Sequence, residues 1–272
     1  MRYKKLFLTD IDGTLVSDKK QISAGNKKAI LQALYEGNAV AICTGRAHAS
    51  AELVAKQIPF QQKGCFIISF NGSIIFDCYK QQFISRKGLL FEDTAYLFKE
   101  AQAWGIHVQT YSEHELLTLK RTPEMETYIH ITKTPYRILN SIQELKGTAM
   151  PKILLSASNQ RLLEFQAAHR AFSDHHLTTV FSDYEYLEYM PEEVSKGQAL
   201  ERLAKLLELP LSDTVAIGDQ DNDISMIRSA GVGISIANGI TPLKETADYV
   251  TTATNNESGV SEALYKFVLE TD

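Results

Sequence analysis

At 272 residues, 44% hydrophobic and 22% charged, the chain has the make-up of an ordinary globular protein, with room for one large α/β domain or two modest ones. A formal net charge of −5, with no basic stripe or arginine run, gives no sign of a nucleic-acid partner. No stretch reaches the roughly 18 apolar residues of a membrane span, and Asp10 and Asp12 interrupt the apolar start that a secretory leader needs, so the default expectation is cytoplasmic.

The first segment alternates strand and helix signals. Lys5–Thr9 is a short apolar run that stops at Asp10, as a buried parallel strand would. Ser23 can cap a helix in which Ala29, Ile30, Ala33 and Leu34 form one apolar face, and Gly37 follows where that helix would stop. Ala39–Cys43 reads as a second buried strand ending at Thr44-Gly45-Arg46, with a helix expected around Ser50–Lys56. Cys65–Phe70 and Ser73–Phe76 read as strands joined through Asn71-Gly72, a strong hairpin dipeptide. Cys43, Cys65 and Cys78 are odd in number and lie at no metal-ligand spacing, so they read as buried free thiols.

From about Tyr79 to Tyr186 the texture changes. This stretch holds the only tryptophan, Trp104, helix-like runs at Phe91–Trp104 and Gln160–Ala171, and strand-like runs at Ile106–Thr110 and Lys152–Ser156. None of its strands ends in a carboxylate cluster. The opening rhythm then returns: a Ser195-capped helix Lys196–Leu207, a strand Thr214–Ile217, a short helix from Asn222 towards Ala230, a strand Val232–Ile236 and a closing helix Gly259–Leu269. The expectation is an α/β fold, a Rossmann-like doubly wound parallel-sheet core of residues 1–80 and 188–272 with an inserted α/β cap domain of residues 81–187 that closes over the strand ends.

Asp10 and Asp12 leave the first strand two residues apart. Such a pair is costly beside a buried strand unless a cation or a reaction uses it, although a solvated Asp-Gly turn would also read this way. An aspartate can attack phosphorus, and a second one can protonate the leaving oxygen and then activate water. Gly218-Asp219-Gln220-Asp221-Asn222-Asp223 adds three carboxylates after another strand. A helix cap explains one of them, whereas a magnesium site shared with Asp10, with Asp219 as ligand and Asp223 close behind, accounts for the cluster. Thr44, with the backbone N–H of Gly45 beside it, suits a phosphate oxygen or an ordinary loop. Lys196 stands in a first helical turn, where the dipole disfavours a cation. It makes sense there if it neutralises a nucleophile and a transferring phosphoryl group, or if it merely reaches into water. The scattered histidines, and the lack of a GxSxG elbow or P-loop, point away from zinc hydrolases, serine hydrolases and nucleotide triphosphatases.

Taken together, DIDGT at Asp10–Thr14, TGR at Thr44–Arg46, SKG at Ser195–Gly197 and GDQDND at Gly218–Asp223 resemble, in order, the four motifs of the haloacid dehalogenase-like hydrolase superfamily. The gap between Arg46 and Lys196, Asn71-Gly72, and Ile236-Ala237-Asn238-Gly239 resemble its Cof-type branch, which carries a large α/β cap. The resemblance implies a Mg2+-dependent phosphatase acting on small phosphate esters such as sugar phosphates, flavin mononucleotide or pyridoxal phosphate. It assigns Asp10 as nucleophile, Asp12 as general acid and base, and Asp10, Asp219 and the Asp12 backbone carbonyl as metal ligands supported by Asp223. Thr44, Gly45, Lys196 and Asn222 become phosphate binders, with Arg46 and Asn71 as candidate substrate contacts. Two positions depart from the branch's usual pattern: Glu193 stands where glycine is common, and Ala237-Asn238-Gly239 replaces Gly-Asn-Ala. The alternatives are a phosphomutase sharing the motifs and a catalytically idle binding protein. Intact Asp10, Asp12, Lys196 and Asp219 argue against the second.

Overall fold

The computed structural model describes residues 3–174 and 176–269. In chain order it contains β1 (Leu6–Thr9), α1 (Ala24–Tyr35), β2 (Ala39–Cys43), α2 (His48–Ala55), β3 (Cys65–Ser69), β4 (Ile74–Asp77) and β5 (Gln82–Arg86). Next come α3 (Phe91–Ala103), β6 (His107–Tyr111), β7 (Leu116–Thr118), α4 (Pro123–Thr132), β8 (Tyr136–Ile138), β9 (Ile153–Ser156), α5 (Asn159–Ala168), α6 (Arg170–Ser173), β10 (Leu177–Asp183) and β11 (Tyr186–Pro191). The chain finishes with α7 (Lys196–Leu206), β12 (Thr214–Gly218), α8 (Ile224–Ser229), β13 (Val232–Ser235), α9 (Thr241–Thr246), β14 (Tyr249–Val250) and α10 (Gly259–Phe267).

Two compact units emerge, residues 1–85 with 195–272, and residues 86–194. The divisions fall several residues beyond 80/81 and 187/188 because β5 stays in the larger sheet and β11 belongs to the smaller one. In the larger unit the strand order is β14-β13-β12-β1-β2-β3-β4-β5. The first six strands run parallel, and β4 turns back antiparallel on β3. β1, β2, β3 and β12 are buried from end to end because helices cover both faces. Phe7, Val40, Ile42, Ile67, Val215 and Ile217 face α1, α2 and α10, while Leu6, Leu8, Ala41, Phe66 and Ala216 face α7 and α8. Truncating one of the large aliphatic side chains here, Ile42→Ala for instance, would cost about 2–5 kcal/mol.

Local signals set most boundaries. Ser23 caps α1 by accepting from the Asn26 N–H, and Ser195 caps α7 by accepting from the Gln198 N–H. α2 begins at His48 rather than Ser50, and the expected helix Gln160–Ala171 is broken at His169 into α5 and α6. β3 stops at Ser69, one residue short, because Phe70 and Asn71 take left-handed backbone conformations, with φ of 52° and 54°.

The smaller unit has its own six-stranded sheet, ordered β10-β11-β9-β6-β7-β8. Val108, Ile153, Leu155, Leu187 and Tyr189 pack in one apolar core with residues of α3 and α5, including Leu97, Phe98, Leu162 and Phe165. Alternation along β6 sends His107, Gln109 and Tyr111 to the other face. There they form a hydrogen-bonded row that ends on the Tyr128 hydroxyl, and Lys152 donates to Glu188 at 2.6 Å nearby. Among the described residues no helix is long and apolar enough to cross a membrane.

Candidate active site

The parallel order β12-β1-β2-β3 brings four loops to one edge of the larger sheet, the edge at which doubly wound sheets bind ligands. These loops are Asp10–Gly13, Thr44–Arg46, Phe70–Gly72 and Asp219–Asp223. Asp10 continues the ladder by donating its N–H to the Ile217 carbonyl at 3.1 Å, and its side chain is buried.

Lys196 opens α7 with its side chain fully buried, contrary to a lysine reaching into water. Its Nζ donates to Asp10 Oδ1 at 2.6 Å and to Asp223 Oδ1 at 2.5 Å. The second Asp223 oxygen accepts from the backbone N–H groups of Asp219 at 2.9 Å and Gln220 at 3.0 Å. Asp223 therefore holds the lysine and folds its own loop. Asp219 Oδ1 accepts from the Thr14 hydroxyl at 2.8 Å. Gly13 stands against this carboxylate with φ +74°, and a Cβ at that position would overlap Asp219 Oδ2. Asn238 fixes the same turn by donating to the Gly13 carbonyl at 2.8 Å, so the Ala237-Asn238-Gly239 variant keeps a side chain on the DIDGT loop.

Carboxylate oxygens of Asp10, Asp219 and Asp223 lie within 4.8 Å of one another, all buried. Burial pushes Asp10 up to about 7; the Lys196 ammonium opposes this, and the neighbouring Asp223 and Asp219 add to it. Asp219 is raised too, first by burial, with the Thr14 hydrogen bond opposing. Burial pulls the Lys196 pKa down, but Asp10 and Asp223 more than reverse this, and it stays charged. Three carboxylates against one ammonium leave an excess of negative charge that a divalent cation with oxygen ligands fits. Asp223 has both oxygens engaged, so Asp10 and Asp219 are the better ligands. The thiol of Cys43, pushed up to about 12 chiefly by burial, stays neutral beside this cluster.

Asp12 is not part of this carboxylate cluster. Arg46 grips it from the next loop, Nε donating to Oδ2 and Nη2 to Oδ1, both at 2.6 Å, and Lys20 Nζ donates to Oδ1 at 2.8 Å. Burial alone would raise this carboxyl, but the hydrogen bonds and charges of Arg46 and Lys20 prevail and hold it below the usual range. Among the described residues no hydrogen bond engages the Asp12 backbone carbonyl.

Thr44 is buried, and its hydroxyl accepts from the Arg46 N–H at 3.2 Å. Phe70 N–H donates to the Arg46 carbonyl and Asn71 N–H to the Thr44 carbonyl, both at 3.0 Å, which stitches the two loops together. Asn222 donates to Asn71 Oδ1 at 3.0 Å, and Gly45 leaves room for that same Asn71 side chain. The structure thus brings Asp10, Lys196, Asp219 and Asp223 into one cluster, Asp12 and Arg46 into a second, and Asn71 and Asn222 into a third. Sequence reasoning passed over Thr14, Lys20 and Asn238. The signal for Thr14 and Asn238 lay inside quoted motifs, but each acts through a partner more than 200 positions away.

The sequence profile described as haloacid dehalogenase-like hydrolase matches residues 7–264. Phosphatase YwpJ of Bacillus subtilis is 31% identical over 96% of this chain and 98% of its own length. The 5-amino-6-(5-phospho-D-ribitylamino)uracil phosphatase YcsE of the same organism is 29% identical over 97% and 96%. The crystal structure of TM0651 from Thermotoga maritima superposes with a TM-score of 0.88 at 28% identity, covering 99% of this chain and 98% of that one. With its carboxylates and buried lysine gathered at the sheet edge and these likenesses spanning nearly its whole length, the chain belongs to the haloacid dehalogenase-like hydrolase family and is a phosphatase.

Proposed function

We propose that the protein hydrolyses small phosphate monoesters with Mg2+ by way of a phosphoryl group carried on Asp10. The observation that carries this reading is the buried Asp10 carboxylate, joined to Lys196 at 2.6 Å and flanked by Asp219 and Asp223. In the first half-reaction an Asp10 oxygen bonds to phosphorus while the ester P–O bond breaks, and the departing alkoxide takes a proton from Asp12, which must first take up that proton against the pull of Arg46 and Lys20. In the second, water oxygen bonds to phosphorus, the P–O bond to Asp10 breaks with its electron pair returning to the carboxylate, and the water proton passes to Asp12. Lys196 favours the ionised form of Asp10 and meets the charge of the transferring group. Asp10, Asp219 and the Asp12 carbonyl would hold Mg2+, which supplies charge neutralisation for the phosphoryl oxygens. Thr44, the Gly45 N–H and Asn222 would hold the non-reacting phosphate oxygens, with Asn71 and Arg46 nearer the rest of the substrate.

Sugar phosphates, flavin mononucleotide, pyridoxal phosphate and the phosphoribitylamino-uracil named for the YcsE relative are the candidates to try first. The three free, buried cysteines suit a reducing cytoplasm. The test is release of inorganic phosphate from a panel of these esters by the wild-type and Asp10→Asn proteins in MgCl2. Turnover by the wild type alone supports the reading. An isomeric sugar phosphate with little free phosphate would instead mark a mutase.

A further inference from the structure

Asp12 is held by a residue that no motif contains. Lys20 lies in a hairpin in which Ser17 N–H donates to the Gln21 carbonyl, Lys20 N–H donates to the Ser17 carbonyl, and Val16 bridges Ile22. The hairpin is pinned from both flanks. Gln57 donates to the Lys20 carbonyl at 3.0 Å and accepts from the Ile22 N–H at 2.9 Å. On the other side Asp18 accepts from Asn255 and Asn256, and its N–H donates to Asn256 Oδ1 at 3.1 Å. Lys20 itself takes a left-handed backbone, φ 59°, which a lysine adopts at a cost. Its side chain is 64% exposed, so the ion pair it makes adds little to stability. A strained, doubly anchored residue that contributes so little to stability is explained by where it delivers its ammonium.

That place is Asp12 Oδ1, shared with Arg46 Nη2, while Arg46 Nε holds Oδ2 and Arg46 Nη1 donates to Ser50 Oγ at 3.3 Å. Alone, a carboxylate 42% exposed could exchange among several rotamers. Gripped at both oxygens by two cations from different loops, it has one orientation. We propose that Lys20 is a positioning residue that, with Arg46, fixes the Asp12 carboxylate for accepting the proton of the water that attacks phospho-Asp10. This inference rests on the reading of Asp12 as proton carrier. In the step it serves, the water O–P bond forms, the P–O bond to Asp10 breaks, and the water proton moves to Asp12.

The test uses p-nitrophenyl phosphate with the wild-type, Lys20→Met, Lys20→Arg and Asp12→Asn proteins. Lys20→Met should lower kcat about tenfold with KM changed less than about twofold, the scale on which misplacing a reacting group acts. A pre-steady-state burst of p-nitrophenol should appear or grow, because loss of phosphate from Asp10 becomes the slow step. Lys20→Arg should restore most of kcat, and Tm should stay within about 2 °C in both. A wild-type kcat in Lys20→Met while Asp12→Asn is crippled overturns the role of Lys20 and leaves that of Asp12 standing. Wild-type turnover in Asp12→Asn overturns both. A rate loss without a burst, or one that Lys20→Arg does not recover, also overturns the proposal.

Discussion

Lys196 and Asp10 meet at 2.6 Å inside the protein, the lysine wholly and the aspartate almost wholly withdrawn from water. Neither charge is tolerable there without the other. Lys196→Met leaves Asp10 and Asp223 facing each other with no cation, and removing one partner of a buried pair costs about 3–5 kcal/mol. The variant should unfold at a clearly lower temperature without Mg2+, and added Mg2+ should raise its Tm more than it raises that of the wild type. Equal Tm values for the two proteins in chelator would contradict the pairing.

Gly13 cannot take a side chain without disturbing the site. Any side chain there would strain a backbone at φ +74° and overlap the Asp219 carboxylate. Gly13→Ala should therefore lower kcat/KM by about 100-fold or more by displacing Asp219. It should also blunt the rise in Tm on adding Mg2+. Both are read from initial rates and thermal melts across a Mg2+ titration, and a near wild-type response would mean that Asp219 is not a ligand.

Activity should vanish after exhaustive treatment with chelator and return with Mg2+. Calcium should not restore it, because Ca2+ prefers six to eight ligands in a looser geometry than in-line transfer allows. Full turnover in chelator would remove the metal from the account.

Much of this was legible because parallel strands announce themselves. Runs such as Ala39–Cys43, apolar at every position, have no other use than burial on both faces, and each ends where the chain turns to chemistry. The carboxylates that cluster in the fold were readable for the same reason, since a carboxylate beside a buried strand asks for a partner. The partners themselves were not readable. Thr14 meets Asp219 from 205 positions away, and Lys20 reaches Asp12 only because Gln57, Asn255 and Asn256 hold its hairpin in place. Nothing in local composition encodes such pairings. The smaller unit was the hardest to read. β10 and β11 alternate polar and apolar residues such as Ser182 and Glu188, and Pro123 opens α4 after a turn, so no long apolar run marked them.

His107 offers a check on that smaller unit. Burial lowers its pKa below the ordinary 6.5, with the Gln109 hydrogen bond and Glu124 opposing more weakly. The folded protein therefore binds this proton less readily than the unfolded chain. Stability rises with pH through this window, and is lost as pH falls below about 6.5. Replacing the group in His107→Gln should shrink the fall in Tm between pH 7 and pH 5.5. The same fall in both proteins would show that His107 does not titrate there.

Phosphoryl transfer through Asp10 can be seen directly by trapping the group. Asp12→Asn should take the phosphoryl group from p-nitrophenyl phosphate in the presence of Mg2+ and release it slowly. Acid quenching followed by borohydride reduction would then convert the acyl phosphate to homoserine, located by peptide mass spectrometry. The predicted result is homoserine at position 10 in proportion to the p-nitrophenol released. Released p-nitrophenol with Asp10 unmodified, or homoserine at any other carboxylate, would contradict the assignment of Asp10 as the nucleophile.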